Sequence, residues 1–402
     1  RPPPILEPIK VVRPVDLVVG SLVTESVTSR FEVARQQLDA TVKAGQAEVT
    51  KQLANQTASV EGLVKGVFST RAATGSDVVL PGKTVATGDT EFLRLTLREA
   101  LQLGIDQASL VHALQNHDEL TYELVHFAAR HRDDPYTLGG VDYTGAELAE
   151  HVREVMRDRL TGDAAPYNAT FVQNGIACTT ASVIAASLGI TDLETITDAD
   201  ARRIANAHLL LSMYNAWQPG VFALSGWDLV GALPLDRAKV RRLISGGDTR
   251  WIERGAYDLL GEQPEAKRSS SGMPIATALY GPLPDQLASP TSFASRLAGI
   301  LKIRKRHGLA TGTLLDVPEV AVKSMLVLVN RLESGAIQIT ALNFGAEKIS
   351  GRVQSEHIPV GRVIDLATRR KVASVDDLGG FTVDLPAFGG LAMVVKEPTP
   401  EA

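Results

Sequence analysis

The stretch LVHALQNHDELTYELV, residues 110–125, decides the fold of this chain. Its apolar beginning predicts a short strand over Ser109–Gln115, and this strand runs directly into the polar segment Asn116–Glu119. Side chains placed in this way lie at the carboxyl end of the strand. In a barrel of alternating strands and helices, that end faces the active site. The stretch therefore predicts an α/β fold with a candidate catalytic site directly after this strand.

The residue types in this polar segment suit sugar chemistry. Cleavage of a glycosidic bond builds positive charge at the anomeric carbon, which a fixed carboxylate such as Asp118 stabilises. His117 can donate hydrogen bonds to sugar hydroxyls, and Asn116 can fix the end of the strand. Taken alone, Asp118 also suits the N-cap of a helix.

Patterns on either side predict helices and one further strand. The capping box formed by Thr144 and Glu147 predicts a helix that begins there and ends near Leu160. Apolar periodicity predicts the other elements. These are helices over Asp89–Leu103, Ile176–Leu188, Asp198–Trp217 and Ser292–His307, and a strand over Val221–Leu224.

The pattern changes from Met325 onward. Short apolar runs separated by turn residues predict strands over Met325–Val329, Ala336–Leu342 and Gly390–Val395. We therefore expect an all-β domain after the α/β region.

The first 86 residues differ from the rest of the chain. Residues 1–20 are rich in proline, which predicts an extended segment. Residues 26–68 carry an apolar stripe at helical spacing, which predicts an amphipathic helix or helical pair. Such a segment serves as a partner-binding arm or packs on its own domain, and the sequence leaves both open. The first residue, Arg1, suggests a trimmed or incomplete chain.

Composition excludes several classes of function. The 402 residues contain 41 Lys and Arg against 46 Asp and Glu, a net charge of −5, which argues against nucleic acid or a membrane surface as partner. Cys178 is the single cysteine, so the chain forms no internal disulfide and no cysteine-based metal site. No apolar run has the length of a membrane span, and no signal-peptide pattern opens the chain. We expect a cytoplasmic protein.

Several blocks, taken in order, carry a resemblance to a known family. QNHDELTYELV (115–125) is similar to the end of the seventh barrel strand in trehalose synthases (maltose α-D-glucosyltransferases) of the α-amylase superfamily, glycoside hydrolase family 13. PYNATFVQNGIACTTASVIAA (166–186) resembles the insertion that follows that strand in these enzymes. Further blocks resemble the eighth strand, the last barrel helix and the C-terminal β-sandwich. They are PGVFALSG (219–226), residues 292–308 and TALNF (340–344).

The resemblance implies a domain organisation and an activity. It implies the last part of a (β/α)8 (TIM) barrel at 87–320, a lid insertion at 119–218 and an antiparallel β-sandwich at 321–398, with residues 1–86 outside the match. The implied activity is intramolecular glucosyl transfer from maltose to trehalose through a covalent glycosyl-enzyme, with Asp118 as transition-state stabiliser. His117, Asn116 and Glu119 would bind the substrate, which is maltose, trehalose or a related α-glucoside. No cofactor is implied; a structural calcium and an oligomer are compatible with the family, but no calcium ligands can be assigned.

The chain also departs from this family. The nucleophile segment Gly-Phe-Arg-x-Asp-Ala and the acid/base Glu that follows it have no counterpart in the sequence. We therefore expect the chain alone not to isomerise maltose. Two alternatives stay open: an α-glucan hydrolase or glucosyltransferase of the same superfamily, and a non-catalytic remnant with a helical interaction arm.

Three other features are interpreted as structural. His112 on the strand and Cys178 on the predicted apolar helix are predicted to be core residues. The cations of Lys302–His307 lie in the last turns of a helix, where they favour the helix dipole. A phosphate-binding patch is the alternative for these cations.

Overall fold

The computed structural model describes Thr84 and residues 87–396. The predicted extended start at 1–20 and the predicted amphipathic segment at 26–68 lie outside the described residues.

The described part of the chain contains eight α-helices and fifteen β-strands. The helices are α1 (Glu91–Gln102), α2 (Gly145–Leu160), α3 (Thr180–Ser187), α4 (Asp198–Ala216), α5 (Gly226–Val230), α6 (Arg241–Ile244), α7 (Leu283–Ala288) and α8 (Phe293–His307). The strands up to the last helix are β1 (Val111–Ala113), β2 (Leu120–Thr121), β3 (Pro135–Leu138), β4 (Val141–Thr144), β5 (Ala169–Phe171), β6 (Gly175–Ala177) and β7 (Val221–Ala223). The later strands are β8 (Thr313–Asp316), β9 (Met325–Arg331), β10 (Ile337–Asn343), β11 (Ile349–Gln354), β12 (Arg362–Asp365), β13 (Lys371–Ser374), β14 (Gly380–Leu385) and β15 (Gly389–Lys396).

Helix α2 begins where its capping box predicts. The Thr144 hydroxyl accepts from the Glu147 amide, and the Glu147 carboxylate accepts from the Thr144 amide. These two bonds satisfy backbone donors that a helix start otherwise leaves unpaired. The predicted end at Leu160 is confirmed.

The prediction of a helix over Ile176–Leu188 was wrong at its start. Gly175–Ala177 forms the central strand of a small antiparallel sheet, paired with β2 on one side and β5 on the other. The helix begins only after Thr179, whose hydroxyl accepts from the Ser182 amide. Pairing with two distant segments therefore overrides the local apolar pattern.

Strands β1 and β7 pair in parallel, from Val111 opposite Val221 to Ala113 opposite Ala223. The prediction that His112 is a core residue is confirmed, because it is buried and its Nε2 lies 2.9 Å from the Pro219 carbonyl oxygen. Gly220 has φ +107°, and a Cβ there would stand 2.7 Å from the Leu110 oxygen, so only glycine fits this approach. Beyond this parallel pair of strands, the rest of the (β/α)8 barrel remains a prediction.

Arg304 of α8 fixes the entry to β7. Its Nη1 donates to the carbonyl oxygens of Ala216 (2.7 Å) and Gln218 (2.8 Å), and its Nη2 donates to that of Gly220. Desolvation lowers the pKa of this guanidinium to about 10. Arg304 lies in the last turn of α8, where the sequence predicts cations that favour the helix dipole. Its side chain also satisfies carbonyl groups of residues 216–220, which lead from α4 into β7.

The region after α8 is an antiparallel sheet structure, as predicted. Six strands hydrogen-bond in the order β13-β12-β15-β10-β9-β8, with every neighbouring pair antiparallel. Strands β11 and β14 form a second antiparallel pair. The predicted strands at Met325, Ala336 and Gly390 correspond to β9, β10 and β15.

Both faces of β9 are buried, which explains its unbroken apolar run. Leu326 and Leu328 pack into the core that contains the helices. Met325, Val327 and Val329 pack into a second core with residues of β11 and β14. The sheet is therefore the middle layer between the helices and the β11–β14 pair.

A row of buried polar side chains crosses the helix-facing side of this sheet. Asn330 donates to Gln338 (2.8 Å), Gln338 donates to the Thr340 hydroxyl (2.9 Å), and Thr340 donates to the Trp217 carbonyl oxygen (2.7 Å). We refer to Asn330, Gln338 and Thr340 as the polar row.

Candidate active site

The segment Asn116–Glu119 forms the connection between β1 and β2. The Asn116 Oδ1 accepts from the Asp118 amide at 2.6 Å, which closes a tight turn after the strand. No helix begins at Asp118, so this carboxylate is not a helix N-cap. The turn therefore brings the four predicted site residues together at the end of β1.

Arg250, in a 3-10 turn over Thr249–Ile252, binds both acidic residues of this segment. Its Nη1 lies 3.0 Å from the Asp118 Oδ1 and 3.2 Å from the Glu119 Oε2. Its Nε and Nη2 contact the two oxygens of Asp248, at 2.8 and 3.2 Å. The guanidinium also lies over the Phe171 ring, 4.2 Å from its centre. Arg250 is thus held by three carboxylates and one aromatic face.

A second arginine holds the backbone of the same segment. The Arg254 Nε donates to the His117 carbonyl oxygen at 2.7 Å, and its Nη1 lies 3.5 Å from Asp248. The His117 side chain is 68% exposed, and its Nε2 stands 3.6 Å from the Asp118 Oδ2. Of the four predicted site residues, His117 is the one whose side chain is free to meet a ligand from solvent.

The two arginines set the charge of this site. Hydrogen bonds from Arg250, followed by the charges of Arg250 and Arg254, hold the pKa of Asp248 below its usual range. The same contacts raise the pKa of Arg250, so the guanidinium stays charged. Asp248 and Arg250 therefore both stay charged at neutral pH.

A buried acid lies behind the network. The Glu253 Oε2 accepts from the Cys178 amide at 2.7 Å, and its Oε1 has no hydrogen-bond partner among the described residues. Burial raises the pKa of Glu253 well above its ordinary value. Burial also raises the pKa of the Cys178 thiol, as expected for an inert core cysteine.

A small pocket adjoins the predicted site residues. It is lined by Asn116, Asp118 and Glu119 together with Gln115, Cys178 and Thr180, among others. Its volume is about 30 Å³, which holds one or two water molecules and not a sugar ring. Within the described residues, this pocket is too small to enclose a substrate.

Sequence reasoning missed Arg250, Arg254, Asp248 and Glu253. They lie 130 or more positions after Asp118, and the contact Arg250–Asp118 spans 132 residues. The segment DTRWIER (248–254) alternates acids and arginines, a pattern that is common on protein surfaces. Only the fold shows that these side chains turn toward the end of β1.

Among residues 87–396, no helix has the length and apolar character needed to cross a bilayer. In the same part of the chain, no three His, Cys, Asp or Glu side chains are grouped so as to hold a metal ion.

Comparison with known proteins gives likeness in structure alone. No protein-family model matches the chain, and no curated protein sequence matches it. Among solved structures, it is similar to AmyP in complex with maltose, with a TM-score of 0.40, 13% identity, and coverage of 81% of this chain and 50% of that one. The α-amylase from H. orenii gives a TM-score of 0.40 and 10% identity over 80% of this chain and 48% of the other.

A third similar structure is the isomaltulose synthase SmuA from Protaminobacter rubrum. The TM-score is 0.35 at 15% identity, with coverage of 48% of this chain and 38% of that one. The chain thus spans half or less of the length of each of these three proteins. At TM-scores of 0.40 and below, these likenesses leave both the barrel and the activity as predictions.

Proposed function

We propose that this chain carries the C-terminal part of a maltose-to-trehalose isomerase, in which Asp118 stabilises the transition state. The observation that carries the proposal is the position of Asn116–Glu119, which only Leu114 and Gln115 separate from the end of β1, a strand that pairs in parallel with β7. Carboxyl ends of parallel strands meet at one edge of a sheet, which is where barrel enzymes hold their catalytic groups. The resemblance of residues 115–125 to trehalose synthases supplies the substrate.

The roles of the four residues follow from their contacts. The fixed carboxylate of Asp118 would offset positive charge at the anomeric carbon. The exposed imidazole of His117 would donate to sugar hydroxyls, and Glu119 would accept from them. Asn116 would position the others, because its side chain accepts from the Asp118 amide.

Residues 119–218 would form a lid in this proposal. They contain β2, β5 and β6, which pack beside the site, and Phe171 of β5 supports Arg250. Glucosyl transfer between two positions of one substrate requires that water be kept from the covalent intermediate. A lid built on this small sheet would serve that purpose.

Double displacement needs two facing carboxylates roughly 5 Å apart, a nucleophile and an acid/base. The proposal assigns to this chain the third, supporting carboxylate, since the nucleophile and acid/base motifs have no counterpart in its sequence. A related α-glucan hydrolase or glucosyltransferase would use Asp118 in the same way.

A non-catalytic remnant is the second candidate, and one observation favours it. Arg250 occupies both Asp118 and Glu119, and the adjoining pocket holds no more than two water molecules. In a remnant, this network would be a structural tie between two loops.

The test has two parts. Purified chain is incubated with maltose, and trehalose and glucose are followed by chromatography. We expect no trehalose above a control without protein; trehalose that Asp118→Asn abolishes would show that the chain holds a nucleophile of its own.

The second part fuses the chain to the sequence encoded immediately upstream. If the proposal is right, the fusion converts maltose to trehalose, and Asp118→Asn lowers the rate by several orders of magnitude. Asp377→Asn, at an exposed turn position between β13 and β14 and outside the proposed lid, is the matched control and should leave the rate unchanged. A fusion that hydrolyses α-glucans without forming trehalose favours the hydrolase, and a fusion with no activity favours the remnant.

A further inference from the structure

A second and larger cavity lies among the loops that follow β7, and the candidate active site shares no residue with it. Its volume is about 640 Å³, within the range of roughly 300–1,000 Å³ that small-molecule sites occupy. Three cationic side chains line it: Lys239, Lys267 and Arg268.

The floor of this cavity is held by the backbone. The Ala256 amide donates to the Pro274 carbonyl oxygen at 2.9 Å, and the Ala276 amide donates to the Ala256 carbonyl oxygen at 2.7 Å. The Thr277 carbonyl oxygen accepts from the Leu233 amide at 2.9 Å. Pro274 and Ala276 are buried. The floor is therefore formed before any ligand arrives, which lowers the cost of ordering on binding.

The three cations have no acidic partner in the described part of the chain. None of them forms an ion pair with a described carboxylate, although the chain as a whole carries a net charge of −5. Arg268 uses its Nη1 to donate to the Gly272 carbonyl oxygen at 2.7 Å, which orients the guanidinium and leaves other N–H groups for a ligand. The nearest acids in sequence, Asp236 and Glu265, do not line the cavity.

We propose that this cavity binds a small molecule that carries a phosphate group. An arginine fork and two ammonium groups around one space match the charge and the acceptor oxygens of a phosphate. Pro264, Pro274 and Ile275 supply apolar walls against which a sugar or other ring can lie. The site is independent of the activity proposed above, since it involves neither Asp118 nor its neighbours.

Isothermal titration calorimetry of the whole chain tests this proposal, with glucose 1-phosphate, inorganic phosphate and glucose as separate probes. We expect saturable binding of glucose 1-phosphate and none of glucose. Equal affinity for inorganic phosphate would show that the phosphate alone is recognised, whereas tighter binding of glucose 1-phosphate would show that the apolar walls contribute. Raising the ionic strength from about 0.1 M to about 1 M should weaken binding, because the screening length falls from about 10 Å to about 3 Å.

The double variant Lys267→Glu/Arg268→Glu should lower the affinity at least about tenfold, since it reverses two of the three charges. Both residues are exposed, so the variant is expected to fold, and circular dichroism checks that it does. Lys371→Glu, on the edge strand β13, makes a charge change of the same kind away from the cavity and should bind like the unchanged chain. Absence of saturable binding to both phosphate probes overturns the proposal, as does equal weakening by the Lys371 variant, which would indicate attraction by overall charge alone.

Discussion

In the C-terminal sheet, backbone ladders and apolar side chains hold the strands, whereas around Asp118 the chain is held by side chains that reach across loops. Strands β9 and β10 pair over seven consecutive positions and lie between two apolar cores. Strands β1 and β7 pair over three positions. Beyond their ends, Arg250 and Arg254 bind the connecting segments through carboxylates and a carbonyl group.

The difference shows where each region's stability comes from. Burial of apolar area contributes to every strand of the sheet. Truncation of a single buried side chain there should therefore lower the free energy of unfolding strongly. Ion pairs near the surface contribute less, because solvent screens them and side-chain ordering opposes them. The comparison therefore predicts a ranking of effects, from the sheet to the loops.

The largest effect is expected from Leu328→Ala in β9. Leu328 is 1% exposed in the helix-facing core, and truncation of such a side chain costs about 2–5 kcal/mol of unfolding free energy. Urea unfolding followed by fluorescence measures this loss. Leu378→Ala is the control, because Leu378 is 71% exposed and its truncation should change stability by less than about 0.5 kcal/mol. Equal effects at the two positions would contradict the comparison.

Arg304→Leu should have the next largest effect. It removes the donor for the carbonyl oxygens of Ala216, Gln218 and Gly220, and buried acceptors left unpaired cost about 1–3 kcal/mol. The same substitution at Arg306, exposed on the same helix, serves as the control and should be close to neutral. If Arg306→Leu destabilises as much, the helix dipole and not the carbonyl contacts explains Arg304.

A smaller effect is expected for the pair Arg250 and Asp118. A double-mutant cycle with Arg250→Gln and Asp118→Asn should give a coupling of about 1 kcal/mol in unfolding free energy, since both side chains are partly buried. The pair Lys348–Asp384 is matched in distance at 2.9 Å, but both side chains are more than half exposed, so solvent screening should make its coupling clearly weaker. Additive effects at Arg250 and Asp118 would show that their contact contributes nothing to the fold.

The remaining effect concerns pH and has opposite signs at two neighbouring acids. Burial raises the pKa of Glu253, so its contribution to stability is fully present below the ordinary glutamate pKa of about 4.3 and is lost as pH rises toward the raised value. Glu253→Gln keeps the acceptor for the Cys178 amide and should remove this decline, so that the variant is the more stable form at neutral pH.

Asp248 is the counterpart, because Arg250 lowers its pKa. Its contribution is present above the ordinary aspartate pKa of about 3.9 and is lost as pH falls through the lowered value. Asp248→Asn should flatten the acid end of the stability profile. Urea midpoints between pH 2 and pH 8 measure both variants, and a profile unchanged by either substitution contradicts the corresponding assignment.

The sheet and the helices could be predicted from the sequence because their causes are local. The capping box of Thr144 and Glu147 fixes the start of α2, and short apolar runs after Met325 predict strands. The existence of β1 was also predictable, but its end was not, because the apolar pattern predicts a strand up to Gln115 and β1 ends at Ala113. The strand at Gly175–Ala177 was not, because its formation depends on pairing with β2 and β5.

The environment of the candidate site lay beyond local reasoning. Neither the contact of Arg250 with Asp118 nor that of Arg304 with the entry to β7 leaves a periodic pattern, and each joins segments that are 84 to 132 positions apart. The sequence shows which side chains are charged and must therefore be either hydrated or paired with an opposite charge. The fold decides which of the two they receive.

The polar row has a consequence for how β10 finds its place. A strand that slides by two residues keeps the same side chains on the same faces, so apolar packing alone separates the two alignments poorly. In this strand, such a slide would carry the Thr340 hydroxyl away from the Trp217 carbonyl oxygen and leave both groups buried without each other. The Thr340 hydroxyl therefore makes a shifted register unfavourable, although apolar packing alone would allow it. It selects one register among several that would bury equal amounts of apolar surface.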